Sequence, residues 1–152
     1  MDAPVIKIAG PDDAPALAAL RRAWTEENHG PAGDADFEAR FLDWYRREAQ
    51  RRVSWLAEAG GDLVGMMNMS VFERMPQPGR DPGCWGYLAN AFVLAAHRDR
   101  GIGSLLLRAL LGYADERQFV RVVLRPSERS IPFYERLGFT ADHDLLVRHR
   151  PD

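Results

Sequence analysis

An arginine and two glycines in the spacing Arg98-x-x-Gly101-x-Gly103 are the residues with the clearest chemical potential. They stand between residues 85–94, whose apolar run predicts a strand, and residues 101–117, whose apolar stripe predicts a helix. The first turn of a helix carries N–H groups without intrahelical partners, and glycine lets the backbone approach an anion closely. The spacing therefore predicts a phosphate site, although Gly-x-Gly at a helix start also occurs as a simple tight turn.

Two other phosphate-binding motifs fit this loop poorly. A dinucleotide fingerprint needs a third small residue where Leu106 stands, and a P-loop needs Gly-Lys-Ser/Thr after a four-residue gap. Binding of a dinucleotide or a nucleoside triphosphate is therefore the least favoured interpretation.

Hydrophobic periodicity indicates which elements position the loop. In chain order it predicts a strand at 5–8, a helix ending at 28–31, a helix carrying the aromatic stripe Phe37, Phe41, Trp44 and Tyr45, strands at 53–58, 63–72 and 85–94, a helix at 101–117, a strand at 119–124, a short helix at 131–137 and a strand at 144–149. The strands at 85–94 and 119–124 should be parallel, because the helix between them allows a right-handed crossover. The aromatic stripe is interpreted as core packing, with a substrate pocket as the alternative.

Length and composition predict one folded domain over residues 1–152. The formal net charge of −2 gives no overall attraction for nucleic acid or for an anionic membrane. Cys84 is the only cysteine, so the chain has no internal disulfide. No apolar run reaches the ~18–20 residues of a membrane helix, and residues 1–9 lack the pattern of a secretory signal. A cytoplasmic protein is expected.

Two motifs in the same order and separation resemble those of the GNAT superfamily of CoA-dependent N-acyltransferases. Arg98, Gly101 and Gly103 match its pyrophosphate loop Arg/Gln-x-x-Gly-x-Gly/Ala, and residues 127–139 are similar to its Asn-x-x-Ala-x-x-x-Tyr-x-x-x-Gly-Phe segment. The resemblance covers nearly the whole chain and is weakest in the N-terminal half. It implies an α/β fold with a mostly antiparallel mixed sheet, a splayed pair of parallel strands and flanking helices.

The resemblance further implies an acetyltransferase that moves the acetyl group of acetyl-CoA to an amine by direct attack in a ternary complex. Tyr134 would be the general acid, the Leu94 N–H would stabilise the thioester oxyanion, and Asn90 could position the amine or a water molecule. The residues that would contact CoA are Val93, Leu94, Arg98, Asp99, Arg100, Gly101, Ile102, Gly103, Ser104, Ser127 and Ser130. Both serines replace residue types that are commoner in the family.

A general base is missing from the expected place, since residues 85–92 contain no carboxylate. A water chain to solvent is the first choice, and Glu73, Asp81 and His29 are weaker candidates that fit solvated surface groups at least as well. Cys84 could form an acetyl-cysteine intermediate but is better explained as an inert thiol.

No metal site is expected, because His97, His143 and His149 lack the spacing of metal ligands.

The acceptor class stays open among a polyamine, an amino acid, an aminoglycoside-like compound and a protein amino group. Acidic side chains around the cleft would favour a cationic small molecule. A homodimer is left open, and neither nucleic acid nor a membrane is expected as a partner. The main rival function is a non-catalytic sensor or partner module that binds CoA, which the missing carboxylate keeps open.

Overall fold

The computed structural model describes residues 3–141 and 144–152. Its elements are β1 Val5–Ile8, α1 Ala14–His29, α2 Phe37–Glu48, β2 Arg52–Ala59, β3 Asp62–Glu73, β4 Cys84–Val93, α3 Ile102–Glu116, β5 Val122–Leu124 and α4 Ile131–Glu135. The strands form one sheet in the order β1-β2-β3-β4-β5, antiparallel except for the parallel pair β4–β5. The predicted mixed α/β architecture is confirmed.

The β2–β3 hairpin is the clearest local match between sequence and fold. Gly60 and Gly61 form its two-residue connection with φ of 60° and 86°. Positive φ at both central positions gives the turn the twist of the flanking strands, which glycine allows without a Cβ clash.

Helices cover both faces of the sheet. Neighbouring residues on a strand point to opposite faces, so each face presents its own apolar side chains to a helix. On one face, Trp55, Met67 and Leu88 are buried against Leu106 and Leu110 of α3. Each fully buried side chain of this size contributes roughly 1.5–3 kcal/mol relative to exposure.

The opposite face is covered by the α1–α2 pair. Leu56, Met66 and Phe92 of the sheet are buried there against Leu17 and Leu20 of α1. Within the part of the chain that the structure describes, no helix is both long and apolar enough to cross a membrane.

The parallel pair leaves one edge of β4 partly free. Its pairing with β5 ends at Leu88 and Leu124, whereas β4 continues to Val93. The pairing between β3 and β4 shifts register between Met66 and Asn68. Opposite this shift, Asn90 adopts φ of 57°. A free strand edge and a β-bulge therefore occur in the same five residues of β4.

The predicted strand at 144–149 is wrong, because residues 144–152 form no strand. Leu145, Leu146 and Val147 are 75%, 101% and 72% exposed instead. Their apolar side chains are consecutive rather than alternating, so the segment has no single face to bury against a sheet. The strand predicted at 119–124 is also shorter than expected, and β5 begins at Val122.

Candidate active site

The loop before α3 presents a row of free backbone donors. The first helical hydrogen bond runs from the Leu105 N–H to the Gly101 carbonyl at 3.1 Å, and the N–H groups of residues 99–104 donate to none of the described acceptors. Gly101 adopts φ of 80°, and a Cβ at this position would meet no atom within 4 Å. The open loop and the positive end of the α3 dipole therefore fit an anionic phosphate group.

The Arg98 side chain lies beside this loop and is already paired. Its Nε donates to the Val93 carbonyl at 2.8 Å, its Nη2 donates to the Glu27 carboxylate of α1 at 2.7 Å, and its guanidinium lies 5.4 Å from the centre of the Phe92 ring. Arg98 consequently ties the end of β4 to α1, while the free donors of the loop come from the backbone.

The other side chains of the loop leave its donors accessible. Asp99 takes φ of 62°, and the Asp99 and Arg100 side chains are exposed. A Cβ at Gly103 would lie 3.6 Å from the Phe133 ring, an ordinary contact distance, so α4 packs on the first turn of α3 with room for a methyl group at this position. Ser104 is half-buried on the same turn.

The end of β4 corrects the expectation for Leu94. The Leu94 N–H donates to the Val64 carbonyl of β3 at 2.8 Å, and its carbonyl accepts from the His97 N–H at 2.9 Å. The Leu94 N–H is therefore not free to stabilise an oxyanion. Successive N–H groups of a strand point to alternate edges, so the Val93 N–H faces the edge that β5 leaves free.

The bulge in β4 directs a second N–H to the same edge. The Asn90 carbonyl accepts a hydrogen bond from the Asn68 Nδ2 at 2.8 Å on the β3 side, and the Asn68 Oδ1 accepts one from the buried Ser54 hydroxyl at 2.6 Å. The C=O and N–H of a trans peptide point in opposite directions. The Ala91 N–H therefore points away from β3, towards the free edge.

Ala91, Asn68 and Ser54 were missed as site residues at the sequence level. Two signals were available, because Ser54 and Asn68 are polar residues with apolar neighbours on both sides in their strands. Buried polar groups require partners, which made a hydrogen-bond network across the strands a reasonable expectation. The register needed to connect them appears only in the folded sheet.

Tyr134 lies half-buried on α4 within an aromatic cluster. Its ring lies 5.0 Å from the Phe133 ring and 5.7 Å from the Phe139 ring, both edge to face. Burial raises the pKa of Tyr134, which keeps the phenol protonated at neutral pH. No described residue bonds to its hydroxyl, and no buried side-chain oxygen of the described residues lacks a partner, so this hydroxyl reaches the surface.

The two serines that replace family residues bond to each other. The Ser127 hydroxyl donates to the Ser130 Oγ at 3.0 Å, and the Ser130 hydroxyl donates to the Ser127 carbonyl at 2.9 Å. Their side chains therefore close the turn before α4.

The weaker base and nucleophile candidates lie in different environments. Glu73, His29 and Asp81 are exposed, and the Asp81 carboxylate accepts the Gly83 N–H at 3.0 Å, whereas Cys84 is partly buried.

His143 lies outside the described residues. Among residues 3–141 and 144–152, no three His, Cys, Asp or Glu side chains lie close enough together to hold a metal ion.

A cavity of about 660 Å³ opens between the α1–α2 pair and strands β3 and β4. Its walls are Arg21, Phe37, Arg40, Phe41, Asp43, Trp44 and Arg47 of the helices, and its floor is Met66, Asn68 and Asn90 of the strands. The aromatic stripe of α2 is thus divided: Tyr45 is buried in the core, and the other three aromatic residues line the cavity. We call this space the α2 cavity.

A mixed sheet with a free β4 edge, followed by an open loop before α3, is the arrangement expected of a CoA-dependent acyltransferase fold. Residues 17–139 match the family model described as the acetyltransferase (GNAT) family, and the chain belongs to this family.

Two proteins of similar sequence carry acetyltransferase names. A glucosamine 6-phosphate N-acetyltransferase of Trypanosoma brucei brucei is 28% identical over 110 residues, which are 72% of this chain and 72% of that protein. A mycothiol acetyltransferase of Acidimicrobium ferrooxidans is 30% identical over 160 residues and covers 90% of this chain, which spans 47% of that longer protein.

Solved structures share the fold. A predicted acetyltransferase from Clostridium acetobutylicum, solved with acetyl-CoA, superimposes with a TM-score of 0.75 at 20% identity. The match covers 97% of this chain and 96% of that chain.

Proposed function

We propose that this protein is an N-acetyltransferase that moves the acetyl group of acetyl-CoA to an amine by direct attack in a ternary complex. The observation that carries the proposal is the row of free N–H groups at residues 99–104, which directly follows the free edge of β4. One end of this surface suits a pyrophosphate, and the other suits the amide groups of an extended pantetheine arm.

The backbone of β4 has two assignments in this proposal. The Val93 N–H pairs with the pantetheine arm as a neighbouring strand would, since it faces the free edge. The Ala91 N–H, held by the bulge at Asn90, binds the oxygen of the thioester carbonyl as negative charge develops on it. Leu94 has neither task because its N–H is already bonded to β3.

The chemistry then needs one bond to form and one to break. The neutral amine attacks the thioester carbon, and the Ala91 N–H stabilises the tetrahedral oxyanion. As the C–S bond breaks, Tyr134 donates its proton to the departing thiolate and later regains one from solvent. The amine nitrogen loses its proton to water, which Asn90 can position from the floor of the α2 cavity.

Binding of acetyl-CoA is tested by a matched pair of variants at Gly101. Gly101→Asp and Gly101→Asn differ by one charge, have similar size, and both tolerate positive φ better than most residues. We expect calorimetry to show at least a tenfold loss of acetyl-CoA affinity for the aspartate relative to the asparagine variant, because a carboxylate would repel the pyrophosphate. Equal affinities of the two folded variants would exclude this loop as the phosphate site.

Catalysis is tested by Tyr134→Phe, which keeps the ring and removes the proton donor. We expect kcat for free-thiol release to fall by about 10²- to 10⁴-fold, while acetyl-CoA affinity and melting temperature change little. A folded Tyr134→Phe enzyme with full kcat would remove the general-acid role. Acetyl-CoA binding by the natural protein without thiol release for any amine would instead favour the CoA-binding sensor.

A further inference from the structure

The α2 cavity has a positive formal charge, which would repel a cationic polyamine. Its lining contains three arginines and one aspartate, so three positive charges minus one negative charge leave a formal charge of +2. On the sequence alone the acceptor class is open, and acidic side chains around the cleft would favour a cationic acceptor. The cavity has the opposite charge balance.

Local structure explains why these side chains face the same space. Phe37, Arg40, Phe41, Trp44 and Arg47 recur at spacings of three and four along α2, which places them on one side of the helix. Their long side chains form the wall opposite β3 and β4. The wall therefore alternates aromatic rings with guanidinium groups.

Two of the three arginines have no carboxylate partner among the described residues. Arg47 makes no ion pair or side-chain hydrogen bond there. Arg21 donates to the Thr25 hydroxyl at 3.0 Å, and its guanidinium stacks 4.5 Å from the centre of the Trp24 ring. Arg40, by contrast, is paired with Asp34. Arg21 and Arg47 thus remain available to a ligand.

The cavity also reaches the reacting end of the site. Asn90 lies in its floor and immediately precedes Ala91, whose N–H faces the free edge of β4. Because Asn90, Arg21 and Arg47 line the same space, a molecule bound in the cavity can contact Asn90 and the two arginines.

We propose that the acceptor is a small amine that also carries an anionic group, a phosphomonoester or a carboxylate, which Arg21 and Arg47 bind in the α2 cavity. This inference rests on the proposed acetyltransferase function and names its substrate class. Guanidinium groups bind both anions through paired, charge-assisted hydrogen bonds. The aromatic wall packs against the apolar surface between the amine and the anion.

Matched pairs of amines test the proposal. Glucosamine 6-phosphate is compared with glucosamine, phosphoethanolamine with ethanolamine, and β-alanine with propylamine, by kcat/KM for thiol release and by calorimetry on the CoA-loaded protein. We expect the anionic member of at least one pair to be preferred by 10-fold or more, and the preference to weaken as salt rises. Preference in the phosphate pairs alone or in the carboxylate pair alone identifies the anion.

Variants at the arginines assign the preference to the cavity. Arg21→Gln and Arg47→Gln should each raise the KM of the anionic amine by roughly 10- to 100-fold while leaving kcat and the uncharged amine nearly unchanged. Arg51→Gln is the control, because Arg51 is exposed just after α2 and does not line this cavity. An equal effect on both members of a pair, or no effect, would overturn the assignment.

The two proposals fail in different ways. If no amine releases thiol but the anionic amines bind through Arg21 and Arg47, the cavity inference stands and the transferase proposal fails. If spermidine or the uncharged amines are acetylated better than every anionic amine, the transferase proposal stands and the anionic acceptor is refuted. If the anionic amines bind no better than their uncharged partners, the cavity inference also falls.

Discussion

Replacing Asn68 with alanine should slow catalysis by disturbing the backbone of β4 at Asn90 and Ala91. The Asn68 side chain bridges β2 and β4 by accepting the Ser54 hydroxyl at 2.6 Å and donating to the Asn90 carbonyl at 2.8 Å. The second bond orients the peptide between Asn90 and Ala91. Without this bond the Ala91 N–H would lose its fixed direction towards the free edge of β4. It would then no longer point at the proposed position of the thioester oxygen.

The expected magnitudes follow from these two bonds. Each contributes about 0.5–1.5 kcal/mol net, so Asn68→Ala should lower the free energy of unfolding by about 1–3 kcal/mol. For a domain of this size, that corresponds to a fall in melting temperature of roughly 2–12 °C. Complete loss of an oxyanion donor lowers kcat by about 10²- to 10³-fold, which is the upper limit for a donor that is only misdirected.

Two further variants separate positioning from stability. Ser54→Ala removes only the first bond and keeps the Asn90 peptide in place, so it should reduce stability by about 0.5–1.5 kcal/mol with nearly unchanged kcat. Ser70→Ala, one pleat further along β3, is the neutral control. The assay is free-thiol release at saturating acetyl-CoA and amine, with a melting curve for each variant.

A loss of kcat in Asn68→Ala with an unchanged KM for acetyl-CoA is the expected pattern. If folded Asn68→Ala retained the natural kcat, or if Ser54→Ala lost as much activity at equal stability loss, the Ala91 N–H would not be the oxyanion donor.

Three changes outside the site should alter stability alone, as melting curves can measure. Gly112→Ala should stabilise by about 0.5–1 kcal/mol, because it lies inside α3 and its Cβ would meet no atom within 4 Å; no gain would contradict this. Gly86→Ala should destabilise by about 1–3 kcal/mol, since its Cβ would lie 2.3 Å from the sulfur of the buried Met69, and a neutral result would mean that this side chain moves freely. Asp13→Asn should destabilise by about 1 kcal/mol near neutral pH. The Gly10 N–H, then Lys7, lowers the pKa of Asp13. The contribution of Asp13 to stability is therefore present above the unfolded pKa and is lost as pH falls through the folded pKa. The variant should lack this acid-dependent loss, and equal losses of stability in the natural protein and the variant below about pH 4 would refute the prediction.

Features that depend on neighbouring residues could be predicted from the sequence alone. The β2–β3 turn follows from Gly60-Gly61, and the open donors before α3 follow from Arg98-x-x-Gly101-x-Gly103, because backbone conformation and helix ends are local properties. The parallel pairing of β4 and β5 also followed, since the length and hand of a crossover limit the topology.

The sequence was least informative where a prediction needed a distant partner. The run at 144–149 has strand-forming residues, but strand formation requires an edge with matching donors and acceptors, and the prediction was wrong. Arg98 was expected to face a phosphate, yet its side chain pairs with Glu27, which is 71 positions away in the chain.

The direction of each N–H on β4 depends on register and on one bulge, which local sequence does not specify. Ala91 lies in β4 and Leu94 directly follows the strand, and both are apolar; only the pairing with β3 shows that the Leu94 N–H is used while the Ala91 N–H faces the free edge. The charge of the α2 cavity likewise depends on how α1 and α2 pack over the sheet, because Arg21 and Arg47 lie on different helices. Local chain geometry therefore determines the open loop before α3, whereas long-range pairing and packing determine the proposed oxyanion donor and the proposed acceptor cavity.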